Sequence, residues 1–285
     1  MNRVRILTIG DVVGESGLKK LKQDLPNIKE KYNIDFVIVN GENAAEGMGL
    51  NLKIFKTLKE LKVDVITMGN HTWSKKEIFE FINEAGILRP ANYNEGTVGR
   101  GYEIYECKDK NICVINLIGR TDMSVLTENP FLVVDKIINS VKEEVNCIIV
   151  DFHAEATAEK IAMAYYLDGR ATVVFGTHTH IQTADEQILE NGIAYITDIG
   201  MTGPKKSVIG MDIQSSLKRF VTGYPEKYKV ASGESILDCV IFDINEDTCK
   251  VQEIIRLKGW KKAKKHDENY QYFTKMTRLF CWPII

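Results

Sequence analysis

Five short segments of this chain carry residues that bind metal ions or transfer protons, and each follows an apolar run. The segments are Gly10-Asp11, Gly41-Glu42-Asn43, Gly69-Asn70-His71, Asp151-Phe152-His153 and Gly176-Thr177-His178-Thr179-His180. The preceding runs are rich in β-branched residues and predict buried strands, so the polar residues lie at or just past the C-terminal strand ends. Ligands of open α/β sheets bind at that edge. Carboxylates, amides and imidazoles that converge there could hold two metal ions, and such a centre can hydrolyse phosphate esters.

The first three segments predict different roles for their residues. Asp11 and Glu42 supply the negative charge that two divalent ions need, and we expect Glu42 to bridge the ions because it has two carboxylate oxygens. The amide oxygen of Asn70 is a neutral ligand. His71 follows one residue later, near enough to the ions to give a proton to a leaving oxygen. Taken alone, each of these residues is explained at least as well by an ordinary helix or loop position.

Three further histidines add nitrogen ligands. His178 and His180 are two residues apart, and in an extended segment both imidazoles would project to the same side. His153 ends another predicted strand, where Asp151 and Glu155 are candidates to orient an imidazole. A lone histidine or a single His-x-His is weak evidence for a metal site. The joint pattern is stronger, because four of the five histidines lie in these segments.

The elements around these segments predict the architecture. Strands and amphipathic helices alternate over the first half, including a helix that begins near Ser74 and carries Ile78, Phe79 and Ile82. Two hairpins are predicted, over 101–117 and 235–257. We therefore expect an α/β protein with a four-layer αββα sandwich in one domain, residues 1–258. A basic and aromatic tail follows, residues 259–285, and its lysine run is more simply explained as a solvated surface than as a membrane or RNA contact.

Composition narrows the class of protein. The net charge of −2 over 285 residues argues against a general nucleic-acid coat protein. No apolar stretch approaches the ~20 residues that span a bilayer, and the charged N-terminus runs directly into a strand, unlike a signal peptide. The six cysteines are scattered without a Cys-x-x-Cys pair. We therefore expect a protein of the reducing cytoplasm that does not contact a membrane.

The order of the five segments resembles that of the calcineurin-like metallophosphoesterases. The motifs within them look like those of the YmdB-like branch, and the resemblance runs from about Arg3 to Leu257. The motifs are Gly10-Asp11-Val12-Val13-Gly14, Asn40-Gly41-Glu42-Asn43-Ala44-Ala45, Thr67-Met68-Gly69-Asn70-His71-Thr72-Trp73, Asp151-Phe152-His153-Ala154-Glu155-Ala156-Thr157 and Thr202-Gly203-Pro204. Two positions depart from the wider superfamily: Val13 stands where a histidine is usual, and Glu42 stands where the bridging residue is usually aspartate.

The resemblance implies a ligand set and an activity. One metal ion would take Asp11, Glu42, Asn43 and His180, and the other would take Glu42, Asn70, His153 and His178. Hard oxygens and no thiolate favour iron or manganese. The resemblance implies two metal ions, with iron expected and manganese as the alternative. The implied substrates are 2′,3′-cyclic nucleotides and, as a second class, 3′,5′-cyclic monophosphates. The implied mechanism is in-line attack by a metal-bridging hydroxide, with His71 as the general acid. A homo-oligomer is also implied.

Two other functions stay open at this point. The chain could be a metal-containing regulatory protein that binds nucleotide or RNA without turnover, or it could act on another ester as a phosphatase or nuclease. A dinucleotide-binding loop is a weak alternative, because the glycine spacing at Gly10, Gly14 and Gly17 departs from G-x-G-x-x-G. Arg120 and Arg170 are candidate phosphate or inter-subunit contacts, although an exposed salt bridge explains each of them more simply.

Overall fold

The computed structural model describes residues 3–227 and 229–260. The strands are β1 (Arg3–Ile9), β2 (Asp11–Val12), β3 (Phe36–Asn40), β4 (Val65–Thr67), β5 (Ile87–Leu88), β6 (Tyr102–Cys107), β7 (Lys110–Ile118), β8 (Cys147–His153), β9 (Val173–Thr177), β10 (Gln187–Ile188), β11 (Ala194–Ile196), β12 (Met201–Pro204), β13 (Ser235–Leu237), β14 (Cys239–Asn245) and β15 (Val251–Leu257). The helices are α1 (Gly14–Tyr32), α2 (Leu52–Glu60), α3 (Pro130–Val141), α4 (Thr157–Leu167) and α5 (Ile213–Thr222), with one 3-10 helix, Lys76–Glu80.

Two six-stranded sheets pack face to face, with helices on their outer sides. The strand orders are β15-β14-β1-β3-β4-β5 and β10-β11-β9-β8-β7-β6, and a small third sheet has the order β13-β12-β2. Alternating residues of β8 show why the layers form: Ile149 belongs to the core between the sheets, whereas Ile148 and Val150 pack with α3 and α4. The first sheet packs in the same way against α1 and α2. The predicted αββα sandwich is confirmed.

The parallel strands of both sheets bring their C-terminal ends to one edge of the sandwich. In the second sheet, Ile118, His153 and Thr177 end β7, β8 and β9 in register. In the first sheet, Asn40 and Thr67 are register partners at the ends of β3 and β4. All five polar segments of the sequence therefore begin at this edge.

Local differences from the sequence predictions have identifiable causes. The prediction of an α-helix that begins near Ser74 is wrong. The chain forms a 3-10 helix there, Lys76–Glu80, and no side chain caps its N-terminus at Lys75. The run 235–244, predicted as one strand, divides at Asp238 between two sheets, where the Asp238 backbone N–H donates to the carbonyl of Met201. Helix α5 was not predicted, although its apolar residues have helical spacing, and most of that apolar face is exposed, at Leu217, Phe220 and Val221.

The predicted division after residue 258 stays a prediction, and strand β15 ends just before it, at Leu257. Trp260, assigned to the tail by sequence, is buried in the core beside α1 and donates its backbone N–H to Leu237. The remainder of the predicted tail, 261–285, lies outside the described residues. Within the described ranges, no helix has the length and apolar character needed to cross a membrane.

Candidate metal centre

Four ligand atoms from four different segments surround one point at the strand edge. The Nε2 of His153 lies 3.1 Å from Oε1 of Glu42, 3.0 Å from Oδ1 of Asn70 and 3.0 Å from Nδ1 of His178. Glu42 and His153 are almost fully buried. Among the histidines, cysteines, aspartates and glutamates of the described residues, one group has three ligand atoms close enough together to hold a metal ion. It consists of Glu42, His153 and His178.

A second group adjoins the first through Glu42. The side-chain nitrogen of Asn43 lies 3.2 Å from Oε1 of Glu42, 3.4 Å from Oδ1 of Asp11 and 3.1 Å from Nε2 of His180. Nε2 of His180 is 3.6 Å from Oδ1 of Asp11. Rotation of the Asn43 amide by half a turn would direct its oxygen at the same atoms. The seven predicted ligands thus form two groups that share the Glu42 carboxylate.

Hydrogen bonds behind the ligands fix the tautomer of His153. Thr177 donates its hydroxyl to Oδ1 of Asp151 at 2.7 Å, so the same hydroxyl oxygen accepts the Nδ1–H of His153 at 2.9 Å. Asp151 also accepts the hydroxyl of Thr67. Because the proton of the neutral ring is on Nδ1, the lone pair of Nε2 faces Glu42 and the rest of the group.

The other two imidazoles are oriented in the same manner. Nε2 of His178 lies 3.0 Å from the carboxylate of Glu155, which leaves Nδ1 directed at His153. Nδ1 of His180 lies 2.8 Å from the carbonyl oxygen of Ile209, which leaves Nε2 directed at Asp11. In its neutral form each ring therefore presents a lone pair to the centre, as a metal-binding histidine must.

The predicted geometry of the His-x-His segment is wrong in one respect. Strand β9 ends at Thr177, and the φ angles of His178 and His180 are 96° and 64°, in the left-handed region. The two rings therefore do not project side by side from an extended strand: one reaches His153 and the other reaches Asp11. Left-handed backbone at a non-glycine residue is costly, and it is found where the surrounding structure imposes it.

The charges of the centre favour a cation. Burial opposes ionisation of Glu42, but His153 holds the pKa of this carboxyl below its usual range. Burial also opposes protonation of His180, but the Asp11 carboxylate raises its pKa to about 9. In contrast, burial and the neighbouring His153 lower the pKa of His178 to about 3. Buried carboxylates and lone pairs that face one another need positive charge between them, and the donor set of oxygens and imidazoles fits two metal ions of the Fe or Mn type.

Gly69 lets the ligands approach one another. A Cβ at this position would lie 2.3 Å from Nε2 of His153 and 2.4 Å from Oε2 of Glu42, too close for any carbon atom. The absence of a side chain allows the loop after β4 to pass beside the centre, and it brings Asn70 into contact with His153.

The predicted proton donor lies at the rim of the centre. The backbone N–H of His71 donates to Oε2 of Glu42 at 2.9 Å. Its imidazole is half-buried, with Nδ1 3.5 Å from the hydroxyl of Ser74. The role of His71 as a proton donor stays a prediction.

The two arginines have side-chain surroundings other than the predicted metal ligands. Arg120 lines a cavity of about 340 Å³ with Phe131 and Glu159, beyond the end of β7. Arg170 pairs with Asp135 and lies over the ring of Tyr166 on the outer helical layer. A role in phosphate binding stays a prediction for both.

The supporting residues were only partly foreseen. Asp151 and Glu155 were expected to orient imidazoles, and they contact Thr177 and His178. The roles of Thr177 and of the Ile209 carbonyl were not predicted. Thr177 lies inside the motif between Gly176 and His178, so its position was a signal, but Ile209 is distant in sequence and offers only a backbone atom.

Comparisons with known proteins show the family of this chain. The model of the YmdB-like protein family matches residues 7–257. The chain belongs to the YmdB-like family. This membership confirms the predicted resemblance and the predicted enzyme class, a phosphoric diester hydrolase.

Individual relatives of this YmdB-like chain point the same way. It is 49% identical over 255 residues to the 2′,3′-cyclic-nucleotide 2′-phosphodiesterase of Bacillus subtilis, an alignment that covers 89% of this chain and 96% of the relative. The crystal structure of a novel phosphatase from Mycoplasma pneumoniae has a TM-score of 0.85 and 40% identity, covering 90% of this chain and 94% of that one. The NAD nucleotidase of Haemophilus influenzae shares the fold, with a TM-score of 0.57, 13% identity and coverage of 90% and 56%.

Proposed function

We propose that this chain is a phosphodiesterase with a dinuclear metal centre that opens 2′,3′-cyclic nucleotides. The observation that carries the proposal is the shared Glu42 carboxylate, which lies between a group with His153 and His178 and a group with Asp11 and His180. The substrate class is proposed from the Bacillus subtilis relative, whose name specifies cleavage at the 2′ oxygen. Cleavage there would leave the phosphate on the 3′ oxygen.

The two ions would be held by Asp11, Glu42, Asn43 and His180 on one side and by Glu42, Asn70, His153 and His178 on the other. When bound, they supply positive charge to the phosphate oxygens and lower the pKa of water. Iron or manganese suits these oxygen and imidazole ligands. Activity on 3′,5′-cyclic nucleotides, a homo-oligomeric state, RNA as a partner and a cytoplasmic location stay predictions.

In this proposal, side chains of the protein orient the metal-binding imidazoles and give a proton to the leaving oxygen. Thr177 and Glu155 hold the imidazoles of His153 and His178 in the tautomers that face the centre. The backbone N–H of His71 contacts Glu42, which supports a role for its imidazole at the edge of the reaction site, where Nε2 would give a proton to the departing 2′ oxygen. General acid catalysis of this kind contributes about 10²–10⁴-fold to the rate.

A substrate panel with the manganese-loaded protein tests the proposal. We expect 2′,3′-cyclic nucleotides to be converted to 3′-nucleotides faster than 3′,5′-cyclic nucleotides, p-nitrophenyl phosphate or short RNAs, with products identified by chromatography. Preferential release of phosphate from p-nitrophenyl phosphate would assign a phosphatase instead, and cutting of RNA a nuclease. Binding of cyclic nucleotide without turnover by the fully loaded protein would favour the regulatory alternative.

A further inference from the structure

A buried ion pair lies directly behind the metal ligands. Nζ of Lys160, on α4, is 2.8 Å from Oδ2 of Asp198, and the two side chains are 1% and 0% exposed. Neither residue is a predicted ligand. A buried pair of this kind gains little stability over apolar residues of similar size, because both charges lose their hydration. Stability alone therefore does not account for this pair.

The Asp198 carboxylate contacts two segments next to the ligands of one predicted metal site. Its Oδ2 accepts the backbone N–H of Thr179 at 3.1 Å and the hydroxyl of Thr179 at 2.7 Å. Its Oδ1 accepts the N–H of Gly200 at 2.9 Å. Thr179 stands between His178 and His180. The carbonyl of Gly200 in turn accepts the N–H of Asp11 at 3.2 Å.

Lys160 reaches this carboxylate past Gly176, a residue of β9 that has no side chain. A Cβ at Gly176 would lie 2.9 Å from Cδ of Lys160 and 1.8 Å from the carbonyl oxygen of Thr197. The glycine of β9 therefore lets the aliphatic part of the lysine cross from the helical layer toward the strand edge. The ammonium group lies against Oδ2 of Asp198, the same oxygen that accepts the two bonds from Thr179.

We propose that Lys160 and Asp198 form a positioning clamp for the metal site that contains Asp11 and His180. The clamp holds the left-handed backbone of the His-x-His segment through Thr179, and it holds the start of the Asp11 strand through Gly200. Without it, Asp11 and His180 lose their fixed separation, and the ion they share binds more weakly. The inference rests on the proposed dinuclear centre, but it does not depend on the substrate.

Thr179 offers the cleanest test, because it touches the clamp and is not a ligand. Thr179→Val removes the hydroxyl that donates to Asp198 and keeps the branched shape, whereas Thr179→Ser keeps the hydroxyl. Metal-stripped proteins would be titrated with Mn²⁺, with the free ion followed by electron paramagnetic resonance. We expect Thr179→Val to weaken one of two binding steps by about 10-fold or more. Thr179→Ser should bind both ions as the unaltered protein does.

Lys160→Met provides a second variant, since methionine fills much of the same space without the charge. It should weaken the same binding step as Thr179→Val. Circular dichroism of each metal-free variant shows whether it has folded, and if Lys160→Met does not fold, the Thr179 pair decides alone. Unchanged affinity for both ions in folded Thr179→Val would overturn the clamp, as would equal weakening in Thr179→Ser.

The same experiment separates the clamp from the proposed activity. If the unaltered protein binds two ions but does not open cyclic nucleotides, the activity is refuted while the Mn²⁺ titrations still test the clamp. If cyclic nucleotides are opened but Thr179→Val retains both ions at full affinity, the clamp fails and the activity stands.

Discussion

Nε2 of His153 and Nδ1 of His178 lie 3.0 Å apart, with their rings inclined at 74°. The other nitrogen of His153 donates to Thr177, and the other nitrogen of His178 faces Glu155. When the two rings are neutral, they therefore direct lone pairs at each other and at the Glu42 carboxylate. This arrangement is stable only with positive charge between the groups, and a metal ion supplies more of it than a proton does.

Removal of metal should therefore lower stability. A chelated, dialysed protein should unfold at a temperature several degrees lower than the manganese-loaded protein, measured by differential scanning calorimetry. An ion present at 100 times its dissociation constant stabilises the fold by about 2.7 kcal/mol per site. Identical unfolding temperatures in chelator and in Mn²⁺ would contradict a metal centre at these residues.

His71→Ala should reveal the proton donor through its dependence on the leaving group. The variant should open 2′,3′-cyclic nucleotides about 10²–10⁴-fold more slowly, because the departing alkoxide needs a proton. It should lose much less activity on bis-p-nitrophenyl phosphate, because nitrophenolate leaves without one. Initial rates on both substrates, with metal content as the control, distinguish this role. An equal loss on both substrates at full metal content would refute it.

Glu155→Gln should weaken metal binding with little effect on the fold. The Glu155 carboxylate is half exposed and faces Nε2 of His178, so the amide can present a donor there and favour the wrong tautomer. We expect about 10–100-fold weaker binding of one ion, measured by Mn²⁺ titration. Glu190→Gln, at an exposed position beyond β10, is the matched control and should bind as the unaltered protein does. Equal affinities in the two variants would show that Glu155 does not orient the imidazole.

Gly69→Ala should lose metal for a steric reason. The added methyl group would lie 2.3 Å from Nε2 of His153, so either the loop or the ligand must move. Elemental analysis of the purified variant should find at most one ion per chain. Gly96→Ala is the control: it meets nothing within 4 Å but introduces a side chain at a φ of 84°, so it should lose stability and keep both ions. Full metal content in Gly69→Ala would contradict the observed packing.

Much of the fold followed from local patterns. The β-branched runs before Asp11, Glu42 and His153 predicted strands because a buried strand needs apolar residues on both faces, and these strands formed. The prediction failed where local patterns conflict with tertiary contacts. The run 235–244 reads as one strand, but the hydrogen bonds of Asp238 divide it between two sheets.

The sequence by itself determined which residue types stand at the strand ends, and hence the αββα layering and the candidate ligands. It could not determine how they face one another. The left-handed backbone at His178 and His180, the proton positions set by Thr177 and Glu155, and the clamp of Lys160 and Asp198 all depend on contacts between residues distant along the chain. Such contacts leave no periodic signal, because a hydrogen bond between two buried polar groups is specified only when the sheets and helices that carry them have packed.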